Sequence, residues 1–182
     1  MKKPRFLESE PIFQQKWAGN ISKELYELSD GRIFDFYRHS SHLFTNILVI
    51  TKEQECILTR QYRYGVNDFV TDICGGIVEE GEDPKEAAKR EMEEETGYTT
   101  DSKNFTELAK CHVNPARSGE YRYFYLATEA QQTLAQNPDE FEDIEVILEP
   151  FQTTLQKVMD GTYQEPNFCL AVLKYAQMKN SG

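Results

Sequence analysis

Long apolar runs, paired cysteines, histidine and positive charge are what this chain has least of. No stretch of about 18 apolar residues occurs, so no segment reads as a membrane-spanning helix. The basic opening Met1-Lys2-Lys3-Pro4-Arg5 is not followed by an apolar core, so it does not read as a secretion signal. The cysteines stand singly at Cys56, Cys74, Cys111 and Cys169, with no C-x-x-C pair. Thiols spread this way in an acidic chain read as reduced and packed, and the expectation is a cytoplasmic protein. The histidines, His39, His42 and His112, keep no ligand spacing with them, which argues against a zinc site. Lys and Arg number 20 against 31 Asp and Glu, a formal net charge of -11. Such a surface disfavours nucleic acid and suits divalent cations.

What remains is an ordinary globular composition, 39% hydrophobic and 28% charged over 182 residues. That is enough chain for one domain with a full core and a small extra element. The extra element reads as residues 1–45, a β-rich arm. It is crowded with aromatics (Phe6, Phe13, Trp17, Tyr26, Phe34, Phe36, Tyr37) around a turn at Ser29-Asp30-Gly31. Residues 46–182 read as the main domain. Ile47 to Ile50 is a short apolar run of buried-strand type, and Cys56 to Tyr64 a second strand. Further strands are expected at Phe69–Cys74, Phe105–Val113, Tyr121–Ala127 and Asp143–Leu148. Helical spacing recurs in Phe151, Leu155, Val158 and Met159, and again in Leu170, Leu173 and Ala176. Strands and helices mix without strict alternation, so the expected fold class is α/β, with helices packed on a mixed sheet.

The clearest helix runs from Pro84 to about Thr96. Asp83 is its expected N-cap, Glu86 would complete a capping box, and Pro84 takes the first helical position. Gly97 is the expected stop. At about 100° per residue, Glu91, Glu94 and Glu95 fall on one arc at i, i+3 and i+4. Carboxylates so gathered repel one another. Hard oxygen donors in that arrangement suit magnesium or manganese. Ala87 and Ala88 precede them on that face, small enough for a loop or substrate to approach. A solvated acidic helix face is the ordinary alternative.

The segment from Gly76 to Tyr98 also resembles the box of the Nudix hydrolases, G-x5-E-x7-R-E-U-x-E-E-x-G-U with U bulky and apolar. Gly76, Glu82, Arg90, Glu91, Met92, Glu94, Glu95 and Gly97 fill its fixed positions, and Tyr98 stands where an aliphatic residue is more usual. The resemblance implies an α/β/α sandwich with a loop–helix–loop, metal on Glu91 and Glu95, and Glu94 as a further ligand or base. It also implies a ligand from the Gly75 carbonyl and a structural pairing of Arg90 with Glu82. The cofactor it implies is Mg2+, or Mn2+ in its place.

Outside the box, three segments resemble the ADP-ribose and nucleoside diphosphate sugar branch of that family. Arg60-Gln61-Tyr62-Arg63-Tyr64 resembles its Q-Y-R segment, with Arg63 as a diphosphate clamp. Pro115 follows the box about two residues later than that branch leads one to expect. Asn137 to Ile144 resembles its acidic catalytic loop, with Glu142 the better aligned base and Glu140 the second. Trp17 is the candidate for stacking on a base. The resemblance implies a nucleotide-sugar substrate and a homodimer, while the acidic balance and the lack of a long apolar run lead one to expect neither nucleic acid nor membrane as partner. The competing readings are a nucleoside triphosphate sanitiser and a non-catalytic ligand sensor on the same fold.

Overall fold

The alternation of β4 (Phe44–Thr51), a strand with apolar residues on both sides, organises the larger part of the molecule. Ile47 and Val49 point into one apolar cluster, and Leu48 and Ile50 into another. A strand buried on both faces needs a layer of structure on each side of its sheet. The computed structural model supplies those layers, and it describes residues 1–15, 19–40, 42–139 and 141–181. Trp17 and Glu140 lie outside the described residues.

Before β4 come β1 (Arg5–Gln15), β2 (Gly19–Glu27) and β3 (Ile33–Ser40), which form an antiparallel three-stranded sheet of their own. The Ser29-Asp30-Gly31 turn joins β2 to β3. The Gly31 N–H donates to the Leu28 carbonyl at 3.0 Å, and Gly31 takes a φ of +84° that favours glycine. Residues 1–43 and 112–121 make up this first compact unit. Its loop segment is tied to β3 by the His39 N–H, which donates to the Arg117 carbonyl at 2.9 Å.

The second unit holds β4, β5 (Glu55–Arg63), β6 (Asp68–Asp72), α1 (Pro84–Thr96), β7 (Tyr98–Thr99), β8 (Phe105–His112), β9 (Tyr121–Gln132), β10 (Glu145–Pro150), α2 (Phe151–Met159) and α3 (Pro166–Ser181). The sheet runs β10-β5-β4-β9-β7, with β6 on β5 and β8 on β9. β4 and β9 are parallel while β5 is antiparallel to both β4 and β10, so the sheet is mixed, as expected. On one face Ile47, Val49, Ile57, Tyr125 and Ala127 pack with Ala88 and Met92 of α1. On the other Leu48, Ile50, Leu58, Phe124 and Leu126 pack with Phe151 of α2 and Phe168 and Val172 of α3. Each fully buried Ile, Leu or Phe contributes about 1.5–3 kcal/mol of transfer free energy. The result is the α/β/α sandwich. Among the described residues no helix is long and apolar enough to cross a membrane.

Two local expectations differ from what is found. Asp83 caps α1 by accepting the Lys85 N–H at 2.8 Å, but Glu86 does not complete the box. Its carboxylate is taken by Lys89, one turn on, at 2.7 Å. Ala87 and Ala88 are fully buried. Ala88 lies in the cluster with Ile47 and Val49, so its small side chain admits the sheet itself and not a loop or substrate.

Candidate active site

α1 begins against a loop that the sheet holds in place. β4 takes the loop as an extra half-strand. The Ile47 N–H donates to the Cys74 carbonyl at 2.8 Å, and the Thr45 N–H to the Gly76 carbonyl at 2.9 Å. Alternation then turns the polar groups of Gly75 the other way, toward α1. Its N–H donates to a Glu95 carboxylate oxygen at 3.0 Å. Only glycine fits here. Gly75 has a φ of +151°, and a Cβ would stand 2.2 Å from the Thr45 carbonyl oxygen. The next residue is under the same constraint for a different reason. A Cβ on Gly76 would lie 2.4 Å from the carboxyl carbon of Glu91. The two glycines thus seat Glu95 and Glu91 directly over the loop backbone.

Arg90 locks this loop to the helix. It donates to both oxygens of Glu82, at 3.0 and 3.1 Å, and to the Ile77 carbonyl at 3.1 Å. Its remaining nitrogen reaches Glu91 at 2.8 Å and Glu94 at 3.0 Å. Glu91 and Glu94 therefore turn toward Arg90, while Glu95 turns inward to Gly75. As the side chains stand, no three His, Cys, Asp or Glu among the described residues are gathered to hold a metal ion. Glu91, Glu94 and Glu95 do share the face of α1 that the sequence assigns them.

The electrostatics of that face are unbalanced. Burial pushes the Glu95 carboxyl up to about 8; the Gly75 N–H opposes this, and the charges of Glu91 and Glu142 add to it. Burial likewise lifts Glu91 to about 6, against the pull of Arg90 and with the push of Glu94 and Glu142. Two desolvated carboxyls that resist ionisation, made only of hard oxygen donors, fit a divalent cation. Glu91 and Glu95 would hold it, with Glu94 and the Gly75 carbonyl beside them.

Two expected residues from elsewhere in the chain bear on the same place. In β5, Ile57 packs under α1, and Thr59, Gln61 and Arg63 continue that face at two-residue steps. Arg63 is exposed, and its charge pulls against the burial of Glu95. Glu142 is exposed on the loop between β9 and β10, and its charge acts on both Glu91 and Glu95.

Two features of the site were not read from the sequence. Asp72, at the end of β6, is buried, and burial together with the charge of Glu165 pushes its carboxyl up to about 7. The Ile73 N–H, Arg63 and Arg122 pull the other way. An aspartate closing a strand just before two glycines was the available signal. The second is the seat of the Glu142 loop. The last carbonyls of a helix lack intrahelical partners, and here the loop supplies them. The Asn137 N–H donates to the Glu94 carbonyl at 2.8 Å, and Thr133 and Leu134 donate to the Gly97 carbonyl at 3.1 Å each. Gly97 has a φ of +73°, and a Cβ there would stand 2.5 Å from the Leu134 carbonyl oxygen. The last glycine of the box is the surface on which the loop lies.

A family model for the Nudix domain matches residues 41–164 of this chain. The chain belongs to the Nudix family. Among its Nudix relatives is an ADP-ribose pyrophosphatase of Bacillus subtilis (strain 168). It is 29% identical over 136 residues, covering 74% of this chain and 72% of that protein. A GDP-mannose pyrophosphatase of Klebsiella pneumoniae is 27% identical over 182 residues, covering 91% of this chain and 88% of that one. A solved structure described as an ADP compounds hydrolase superposes with a TM-score of 0.84 at 22% identity, over 100% of this chain and 97% of its own. At that identity the likeness concerns the fold, and the Nudix sandwich expected from the sequence is the fold found.

Proposed function

We propose that this Nudix pyrophosphohydrolase splits the diphosphate bridge of a nucleoside diphosphate sugar, ADP-ribose first among them, giving AMP and ribose 5-phosphate. The observation that carries the reading is the convergence on one helix face. Glu91 and Glu95 sit desolvated over Gly76 and Gly75, and the charges of Arg63 and Glu142 act on Glu95 from separate strands and loops. Mg2+, or Mn2+ in its place, would supply charge neutralisation of the diphosphate and a water of lowered pKa. The chain's own groups do the rest. Arg63 pairs with a non-bridging phosphate oxygen and fixes the diphosphate across the face. Glu142 takes a proton from the attacking water. The new P–O bond forms as the bridging P–O bond breaks, and the leaving phosphate departs as an anion. Arg90, bound to Glu82 and Ile77, holds loop and helix in register and takes no part in bond making.

GDP-mannose is the second reading. The Klebsiella relative aligns across 91% of this chain, N-terminal sheet included, against 74% for the ADP-ribose relative. A non-catalytic sensor is less well supported, since every glutamate of the box is kept, and so is a triphosphate sanitiser, since this chain carries an additional N-terminal sheet. The N-terminal sheet leaves Phe6, Ile12, Phe13, Phe34 and Tyr37 exposed, which supports the expected homodimer, to be measured by light scattering. The deciding experiment is a panel of ADP-ribose, GDP-mannose, other nucleotide sugars and nucleoside triphosphates with Mg2+, with products identified by mass. Preferred release of AMP and ribose 5-phosphate is expected. Faster cleavage of triphosphates, or full turnover in excess EDTA, would overturn the reading.

A further inference from the structure

We propose that Gln136 is the positioning residue of the reaction. Through one side-chain amide it fixes the reach of the Glu142 loop over the carboxylates of α1. The proposal rests on the reading of Glu142 as base, and its test is arranged so that the two can fail separately.

Among the described residues, four loop groups meet the end of α1. Three are backbone N–H groups, of Thr133, Leu134 and Asn137, and no side-chain substitution removes them directly. The fourth is the Gln136 amide, whose Nε2 donates to the Glu95 carbonyl at 2.7 Å. A glutamine amide carries two N–H donors. The second points to the Ile144 carbonyl at 3.4 Å. Ile144 is buried, 9% exposed, and immediately precedes β10. Gln136 therefore ties the root of the loop both to the helix end and to the point where the chain re-enters the sheet. The described loop residues 137–139 and 141–143, Glu142 among them, lie along the chain between this one amide and the Ile144 carbonyl that it joins to the Glu95 carbonyl.

The amide also bonds to the backbone of Glu95, the residue whose carboxylate faces Gly75. Any shift of the loop root is thus measured from the metal-binding residue itself. Within the loop, Glu142 is held in a turn. Its N–H donates to the Asp139 carbonyl at 2.9 Å, and its carboxylate accepts the Asp139 N–H at 3.4 Å. The turn has its own internal bonds, so what places it over α1 is its root. Gln136 is itself largely exposed and lies outside the apolar clusters. Its loss should cost the fold little and the geometry of proton transfer much, because a misplacement of about 1 Å costs up to about a hundredfold in rate.

The test uses the full chain and the variants Gln136→Ala, Glu142→Gln and the pair. Gln136→Ala should lower kcat about ten- to a hundredfold with KM within about twofold and the melting temperature almost unchanged. In the Glu142→Gln background the same substitution should add almost nothing, because a misplaced base and an absent base are equivalent. Hydrogen exchange of the metal-free, substrate-free protein gives the second readout. The amides of Asn137 and Glu142 should exchange faster in Gln136→Ala, while those of Ala88 to Met92 should not change. Equal factors in both backgrounds would overturn the proposal, as would unchanged exchange at Asn137 and Glu142. If Glu142→Gln turns over normally, the base assignment falls instead, and exchange alone decides whether Gln136 holds the loop.

Discussion

Glu24 in the N-terminal sheet and Glu95 on α1 are buried to nearly the same degree, 6% and 3% exposed. Their surroundings differ. Arg38 grips Glu24 with two nitrogens, at 2.7 and 3.0 Å, and the Tyr26 hydroxyl adds a third bond at 2.7 Å. The Arg38 guanidinium holds the Glu24 carboxyl below its usual range. Glu95 has one N–H from Gly75 and the distant charge of Arg63, and burial drives its carboxyl upward. A buried carboxylate matched by the chain's own cation needs nothing further. One buried beside two other carboxylates and left without that match would be completed by a cation from outside, as proposed for Glu95. The first pattern belongs to architecture, the second to chemistry.

The sharpest way to break this comparison is to neutralise each carboxylate in turn. Glu95→Gln should lower kcat about a thousandfold and abolish tight Mn2+ binding in calorimetry. Its metal-free melting temperature should hold or rise, because a buried carboxyl that resists ionisation in the folded chain is gone. A variant that binds Mn2+ and turns over normally would remove Glu95 from the metal site. Glu142→Gln comes next, with kcat down about a hundredfold and both KM and metal affinity nearly intact. Steady-state kinetics and calorimetry check it, and intact kcat would move the base to the box helix, to Glu94. Arg63→Ala should raise KM about tenfold and change kcat less, as loss of uniform binding does. Both parameters unchanged would make Arg63 a structural strand-edge cation.

Glu24→Gln should behave in the opposite sense to Glu95→Gln. It leaves Arg38 with a neutral partner in a part-buried place, a loss of about 1–3 kcal/mol. The N-terminal sheet should loosen while kcat and Mn2+ affinity stay at their parent values. Melting followed by circular dichroism, with kinetics on the same preparation, decides this. A gain in stability on Glu24→Gln would erase the contrast.

The parts of this contrast differ in how legible they were in the sequence. The face shared by Glu91, Glu94 and Glu95 followed from helical spacing alone. The stop at Gly97 followed too, although its second reason, the Leu134 backbone crossing over it, lies some 37 residues further along the chain. Both layers of the sandwich were legible in the unbroken apolar run at Ile47 to Ile50. The Arg38 clamp on Glu24 was not, because it depends on the register of β2 against β3, which pairs Ser22 with Arg38. The engagement of Gln136 was equally hidden. Its partners, Glu95 and Ile144, are main-chain carbonyls, and any residue type presents those. Lys89 taking Glu86 away from the capping box shows the same limit at short range. Local motifs name the groups available, and competition among nearby partners decides which pair.

The smallest effect concerns pH, and it tests the unmatched charge without turnover. A carboxyl whose folded-state pKa lies above its unfolded value keeps its proton in the folded chain after the unfolded chain has lost it. The folded state then binds more protons, so the free energy of unfolding falls as pH rises. For Glu95 the window runs from the ordinary 4.5 to about 8. Glu91 contributes over the lower part, up to about 6, and Asp72 up to about 7. Glu24 acts in reverse. Its lowered carboxyl adds stability that is present above its ordinary 4.5 and is lost as pH falls through the lowered value, outside the Glu95 window. Metal-free protein in chelator should therefore lose melting temperature steadily from about pH 5 to about pH 8 and level off above. Glu95→Gln should show a shallower slope over the same range, and Glu24→Gln an unchanged one. Saturating Mg2+ should flatten the parent's slope, because a cation that binds ionised carboxylates stabilises more as they ionise. Parallel curves for the parent and Glu95→Gln would mean that Glu95 is not the strained carboxylate of this fold, and the distinction from Glu24 would then rest on hydrogen bonding alone.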